Sequence, residues 1–369
     1  MFCAVAAIPS FASTPPKLPR LDWTPRSDWI NVKTDVTPAA VGDGKADDTE
    51  SLQNALVLLG DVPGKRTTVY LPPGTYRISR TLELKQKDGI AIIGHGRDTR
   101  VLWDGPGGEG DESRMFWSNG SPCSRYIGIV WDGAGRANTG FDHDSHNLFE
   151  TEIDHQCEAF INCRGCGLRI GHNQSIPGAQ ATAETTYDNC LFCNCDRGAA
   201  VLTFNDYNHT FAGCEFRDCG TGVYGGKGCN FYVRDSHFVT SRVTDVLSMA
   251  EHGVSLRRCT SVGSRMFFQQ NSIATAVVQD CRVSGWTNPD GAISLNYGPV
   301  MVFDCAFEHG PGRDAAIRTV DSQKLILSNN RYPGSSALVK RSGTPPAIVP
   351  AGKLTASLVS AETSYLREV

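Results

Sequence analysis

Tyr187-Asp188-Asn189-Cys190-Leu191-Phe192 recurs in altered form six times further along the chain. Ala212-Gly213-Cys214-Glu215-Phe216 comes next, then Val233-Arg234-Asp235-Ser236-His237-Phe238 and Leu256-Arg257-Arg258-Cys259-Thr260-Ser261. Val278-Gln279-Asp280-Cys281-Arg282-Val283, Val302-Phe303-Asp304-Cys305-Ala306-Phe307 and Leu327-Ser328-Asn329-Asn330-Arg331-Tyr332 complete the series. The key positions 190, 214, 236, 259, 281, 305 and 330 are 24, 22, 23, 22, 24 and 25 residues apart. Upstream, Ile127-Gly128-Ile129-Val130-Trp131 and Phe149-Glu150-Thr151-Glu152-Ile153 fit the same register, 22 apart. The step from 151 to 190 is 39. That coil is expected to hold an insertion of roughly 16 residues, at Gln174 to Glu184.

Short apolar runs at this period, separated by Gly, Asn and Asp turns, fit few architectures. Leucine-rich repeats share the period but need a Leu-x-x-Leu-x-Leu ladder, which is absent. The pattern predicts an all-β fold, a single-stranded right-handed parallel β-helix with coils of about 23 residues. Each coil would hold three short strands and pair only with its neighbours, about 4.8 Å away. Equivalent residues then stack in columns.

Cys190, Cys214, Cys259, Cys281 and Cys305 read as one such column, facing inward as small buried hydrophobes. Cys195, Cys219, Ser241 and Ser264 form a second column five residues on. In-register neighbours have parallel Cβ vectors, a poor geometry for disulfides, so reduced thiols are expected. The alternative is a zinc site from Cys163, Cys166, Cys193 and Cys195.

A solenoid needs covered ends. Asp47 to Leu59 reads as an amphipathic capping helix, with Asp47 and Glu50 as a capping box and Leu52, Ala55, Leu56 and Leu59 as its apolar stripe. Strands are expected at Thr67 to Leu71 and Arg77 to Leu84. Gly343 to Pro350 breaks the pattern. The chain therefore divides into a leader at 1–20, a β-helix domain with its N-terminal cap at 21–340, and a tail at 341–369 packed on the solenoid.

The 369 residues carry 35 Lys and Arg against 39 Asp and Glu, a net charge of −4. This near-balance argues against a nucleic-acid protein, which would normally show a basic stripe. No run approaches the roughly 18 apolar residues of a membrane span. Met1 to Ser13 is apolar and ends in small residues, and Ser10-x-Ala12 suits a signal-peptidase cut. A secreted or periplasmic protein is expected, although the basic start of a leader is missing.

Thr34 to Gln53, with Gly42-Asp43-Gly44 and Asp47-Asp48-Thr49, resembles the G-x-G-D-G-x-x-D-D-T-x-A-x-Q signature of the pectate-lyase-3 type β-helix proteins of the pectate lyase superfamily. Val69-Tyr70-Leu71-Pro72-Pro73-Gly74-Thr75-Tyr76 and Ile92-Ile93-Gly94-His95-Gly96 are similar landmarks. The resemblance implies the solenoid fold and a chassis shared by lyases, hydrolases, epimerases and phage depolymerases; fold alone does not select among them. Gly94-His95-Gly96 also looks like a polygalacturonase motif, but the companion motifs of that group are absent, so no catalytic role passes to His95.

Polar residues recur after the second strand of each coil. Asp206, Lys227 and Glu251 are 21 and 24 residues apart, one coil per step, and are expected to form a ladder on one edge. Two chemistries fit. An inverting hydrolase would use Asp206 and Glu251, about 9.6 Å apart across two rungs. A polysaccharide lyase acting by β-elimination needs a base for the C5 proton of a uronic acid, from Lys227, His209, His252 or Tyr207. It also needs a cation on the substrate carboxylate, either Arg242 or a bound Ca²⁺. Tyr207, Tyr224, Arg242, Gln270, Asn296 and Tyr297 are the candidate substrate contacts. Trp103, Trp117, Trp131 and Trp286 are further aromatics, with Trp131 read as core. The alternative for the whole edge is a solvated row of turn residues.

A second cluster is Asp142-His143-Asp144-Ser145-His146, followed by Glu150, Glu152, Asp154 and His155. It offers hard oxygens and imidazoles for Ca²⁺ or a transition metal. The favoured reading is an exposed loop with solvated carboxylates and no metal. The expected partner is a polysaccharide, with no nucleic acid and no membrane, and the expected state is a monomer rather than a trimer. The activity that follows is an exported carbohydrate-active lyase. The alternatives are an inverting glycoside hydrolase and a non-catalytic glycan-binding or tailspike-like solenoid.

Overall fold

The computed structural model describes residues 18–350 except 61–65, 145–148, 172–181, 204–205, 309, 311–314, 320–323, 333–337 and 342–346. The leader expected at 1–20 lies almost wholly outside the described residues, as do residues 351–369 of the expected tail. Ala347–Pro350 pairs in parallel with Lys324–Ser328, so solenoid strands continue past the boundary expected at 340.

Among the described residues, the strands form three parallel sheets, of 13, 11 and 11 strands. In a typical coil, Thr185–Asp188 belongs to the first sheet, Leu191–Cys193 to the second and Arg197–Val201 to the third. Every third strand meets its predecessor, which is the expected all-β right-handed parallel β-helix. From Arg125–Ile127 to Pro299–Phe303, two residues separate each first-sheet strand from the next second-sheet strand. The first of those two takes a left-handed φ near 50–70°, as at Asn189, Asp235, Asp280 and Asp304. Short polar side chains and glycine tolerate that conformation, which explains Asn189, Gly213, Asp280 and Asp304 before Cys190, Cys214, Cys281 and Cys305, with Arg258 before Cys259 the exception.

Inside, side chains stack as columns. Phe160, Phe192, Phe216 and Phe238 stack with centroids 5.1, 4.7 and 4.9 Å apart. Tyr126, His155, Tyr187 and Phe211 form another stack, at 4.8, 5.2 and 4.6 Å. The Cys190, Cys214, Cys259, Cys281 and Cys305 column faces inward and is buried, and all thirteen described cysteines are free. Their thiols reach backbone carbonyls of the preceding coil, as from Cys214 Sγ to Tyr187 O at 3.2 Å. Cys163 joins the second column with Cys195 and Cys219, also buried. Cys193 sits on the second sheet and Cys166 begins a third-sheet strand, so the four thiols do not converge. No cluster of three or more metal-ligating side chains occurs among the described residues.

The helix Thr49–Leu58 closes the N-terminal mouth. Leu52, Ala55, Leu56 and Leu59 are buried in the core. The expected capping box is replaced by a more extensive arrangement. Asp47 accepts from Thr49 N at 3.0 Å, while Asp48 accepts from Val41 N at 2.7 Å and Gly42 N at 3.1 Å. Asp43 accepts from Lys45 N and Ala46 N at 2.8 and 2.9 Å. The three aspartates of the signature therefore fold the cap. His95 is likewise structural: Nε2 lies 2.8 Å from the Tyr70 hydroxyl and Nδ1 2.7 Å from Leu21 O.

Candidate functional site

The edge between third-sheet and first-sheet strands presents polar side chains from successive coils. Lys227 precedes the strand Cys229–Arg234, and Glu251 with His252 precedes Val254–Arg257. Lys227 Nζ lies 3.6 Å from Glu251 Oε1, with both side chains open to solvent at 74% and 39%. Tyr207, at the head of the strand Asp206–Ala212, reaches across the intervening coil. Its hydroxyl lies 3.5 Å from His252 Nε2, and the two rings meet edge to face at 5.2 Å. Four side chains from three consecutive coils thus meet on one exposed edge. The next rungs add Asn271, which accepts from Gln269 Nε2 at 3.3 Å and from Asn296 Nδ2. Tyr297 is half exposed, as is Met249, and Ile273 is exposed.

Other expected members point elsewhere. Asp206 is fully buried and its carboxylate accepts from Thr182 N at 3.1 Å, Thr203 N at 2.9 Å and Thr203 Oγ1. Burial pushes it up to about 7. His209 is also fully buried, and burial pushes it down to about 3. The cause is local: register shifts between Asp206 and His209, where Asn208 adopts a φ of 61°. Tyr207 and Asn208 turn outward while Asp206 and His209 turn in. The inverting pair of Asp206 and Glu251 therefore does not form, and the three-rung ladder reduces to Lys227 and Glu251. Gly171 shows how tight the wall beside Asp206 is, since a Cβ there would lie 1.8 Å from Thr203 Oγ1.

Gln270 is buried and donates to Ser272 Oγ at 3.0 Å and Ala274 O at 2.9 Å. It is a fold residue, not a substrate contact. Arg242 lies at the corner between the second and third sheets, donating to Asp218 O and to Cys195 O at 3.3 Å. It cannot serve as the carboxylate-binding cation of this edge. Tyr224 lies on the outer face of the third sheet, with the Arg197 guanidinium 4.1 Å over its ring.

Most of the Asp142 to His155 cluster is not solvated among the described residues, although Glu152 is exposed as expected. Asp142, His143, Glu150 and His155 are fully buried, while His146 lies outside the described residues. His143 and His155 face the lumen. Asp142 faces out between two guanidiniums, with Arg169 Nε at 2.8 Å and Arg114 Nη1 at 2.8 Å. Arg114 also covers the Trp117 ring at 4.3 Å, with Lys85 over the same ring at 4.6 Å. Trp103, Trp131 and Trp286 are buried. Arg114 and Arg169 flank Asp142 from the coils on either side, and spacing did not show them because the coils here are longer than the later ones. The coil insertion expected at Gln174 to Glu184 falls largely on 172–181, outside the described residues.

These features define a right-handed parallel β-helix protein. Over residues 29–244 the chain matches the family described as rhamnogalacturonase A/epimerase, pectate lyase-like, and it belongs to that family. Residues 178–337 match the right-handed β-helix region model. Comparison with curated protein sequences gives no match. Among solved structures, the chain is similar to the mannuronan C-5 epimerase AlgE6 A-module of Azotobacter vinelandii (14% identity, 86% of this chain and 99% of that one, TM-score 0.53). It is also similar to PfbA, a surface adhesin of Streptococcus pneumoniae (15%, 88% and 96%, 0.54). ORF18 of Geobacillus virus E2 is a third (16%, 87% and 60%, 0.51), and this chain spans 60% of its length. At these identities the likeness is one of fold.

Proposed function

We propose that the chain is an exported, monomeric carbohydrate-active enzyme that cleaves a uronic-acid-containing polysaccharide by β-elimination at the Tyr207–Lys227–Glu251–His252 edge. The observation that carries the reading is the contact of a base with a weak acid on an open edge, the His252 Nε2 to Tyr207 hydroxyl approach of 3.5 Å beside a cation. β-Elimination needs those three groups and no nucleophile. Neutral His252 takes the C5 proton, and the C5–H electrons form the C4–C5 double bond. The C4–O4 bond breaks, and the Tyr207 hydroxyl gives its proton to the departing oxygen. The proton held by His252 then returns across the same contact to Tyr207, restoring both groups.

Lys227 supplies the charge that steadies the substrate carboxylate as C5 is deprotonated. Its pairing with Glu251 is exposed, and such pairs contribute little, so a substrate carboxylate can displace Glu251. Tyr297, Asn296 and the Tyr224–Arg197 stack lie along the same side and would hold neighbouring sugars. Membership of a pectate lyase-like family supports a uronate substrate. The test is incubation with a panel of uronate polysaccharides while following ultraviolet absorbance of the unsaturated product. A rising signal that His252→Ala abolishes supports the reading. New reducing ends without that absorbance point to hydrolysis, and binding with neither product points to an adhesin; either overturns it.

A further inference from the structure

Inside the coil from Thr139 to Ile161, four ionisable side chains form one unbranched chain. Glu150 Oε2 lies 2.8 Å from His143 Nδ1, His143 Nε2 lies 2.8 Å from His155 Nε2, and His155 Nδ1 lies 2.5 Å from Glu158 Oε2. All four are fully buried. The outer oxygens are anchored. Glu150 Oε1 accepts from Ser118 Oγ at 2.6 Å and Ser121 N at 3.1 Å, and Glu158 Oε1 accepts from Trp131 Nε1 at 2.9 Å.

Each of the three contacts joins two atoms that each carry either a proton or a lone pair. A contact without a proton sets lone pair against lone pair, and one with two protons sets donor against donor. Three contacts therefore hold three protons. With every proton removed the two carboxylates and two imidazoles would carry four negative charges; three protons leave one. We propose that Glu150, His143, His155 and Glu158 share three protons as a unit, a buried latch that holds this coil together and loosens when one proton is withdrawn. It does not rest on the proposed enzymatic activity.

The surroundings set its direction. Glu150 collects three donors when His143 Nδ1 carries a proton. Glu158 has one donor besides the chain, and burial pushes it up to about 8. Burial and His143 hold His155 well below the usual imidazole range. The arrangement that follows runs one way: Glu158 donates to His155 Nδ1, His155 Nε2 donates to His143 Nε2, and His143 Nδ1 donates to Glu150. Remove the Glu158 proton and two protons remain for three contacts. Wherever they sit, one contact is lone pair against lone pair. Other ionisable groups face the chain from adjoining strands and turns. Tyr126 and Tyr187 sandwich the His155 ring, with Cys157, Cys190 and His209 nearby. Burial favours the neutral form of all five. Asp206, which faces Tyr187, titrates on its own account and is the same in any variant of the latch.

The test compares the folding constant of the full chain with that of Glu158→Gln as a function of pH. The Gln amide keeps an oxygen for Trp131 and places an N–H on His155 Nδ1, so its three contacts stay filled at any pH. Folding raises the proton affinity of Glu158, so its stabilising contribution is whole at low pH and lost as pH rises toward 8. The ratio of wild-type to variant folding constants should fall by up to tenfold per pH unit, as much as about 1,000-fold between about pH 5 and 8, then level off. A ratio independent of pH overturns the proposal. Should the variant fail to fold, nuclear magnetic resonance of the wild type decides. Three slowly exchanging downfield protons at pH 6 or so, one of them lost together with the tertiary fold of this coil above pH 8 or so, support it. Fewer than three, or a metal ion released from the purified chain by chelator, overturn it, because a metal between the two Nε2 atoms would displace the central proton.

Discussion

Glu158 occupies the rung next to Cys190 in the inward column that Cys214, Cys259, Cys281 and Cys305 continue. A carboxyl group stands where every later coil but two places a thiol, the exceptions being Ser236 and Asn330. It is tolerated because Trp131 and His155 meet both of its oxygens. Glu158→Ala removes both contacts and leaves two buried groups without a partner. It should destabilise the chain by about 2–4 kcal/mol, measured as a denaturant midpoint at pH 6 or so.

Phe216 sits in the middle of the phenylalanine stack, between Phe192 and Phe238. Phe216→Ala opens a cavity that neighbouring rungs cannot close without moving backbone. A loss of about 3–5 kcal/mol is expected in the same measurement.

Asp245 is fully buried, with Ser261 Oγ on one oxygen and no partner on the other among the described residues. Burial pushes it up to about 7. The folded state therefore holds the Asp245 proton more tightly than the unfolded chain does. Its stabilising contribution is present below about pH 4 and is lost as pH rises to about 7. Asp245→Asn cannot ionise, so it should gain stability over wild type progressively across that interval and keep the gain above it. Thermal unfolding at four or five pH values reads this directly.

Lys227→Ala should leave the unfolding midpoint within about 0.5 kcal/mol of wild type, since an exposed ion pair contributes little. On a uronate polysaccharide it should lower kcat/KM by about 10²-fold or more, and added salt should narrow the difference by screening the carboxylate. Equal activity at all salt concentrations would remove Lys227 from the site.

Asp48→Ala deprives Val41 N and Gly42 N of their acceptor. The cap should loosen before the coils do. Hydrogen exchange is expected to speed up in residues 40–58 while the Cys190 to Cys305 rungs stay protected.

The solenoid was legible because the Cys190 to Asn330 positions recur with steps of 22 to 25 residues, and apolar columns are a local rule applied repeatedly. The cap was legible from its aspartates, although the partners of Asp48 were not. The register failed upstream of Cys190. Thr151 was aligned with that column, whereas the strand pairing aligns Ile129, Glu158 and Cys190, with steps of 29 and 32. Polar side chains at His155 and Glu158 hid the repeat, since the expected apolar residues were missing there. Asp206 was misplaced for another reason: alternation along its strand is broken at Asn208, and a shift of one residue exchanges inside for outside. Lys227, Glu251 and His252 follow ordinary strands, and their one-coil spacing brings them to one edge.

The corner with two fixed residues, where Asn189, Asp235 and Asp280 bend the chain, admits no insertion without unwinding the stack. The corner carrying Tyr207, Lys227 and His252 has no such restriction, and residues 144–152 and 171–184 show how widely its length varies. New loops can be grafted beside Tyr207, Lys227 and His252 while the scaffold goes on assembling unchanged. A designer seeking to give the solenoid a new binding preference would rewrite that margin and leave the opposite one alone.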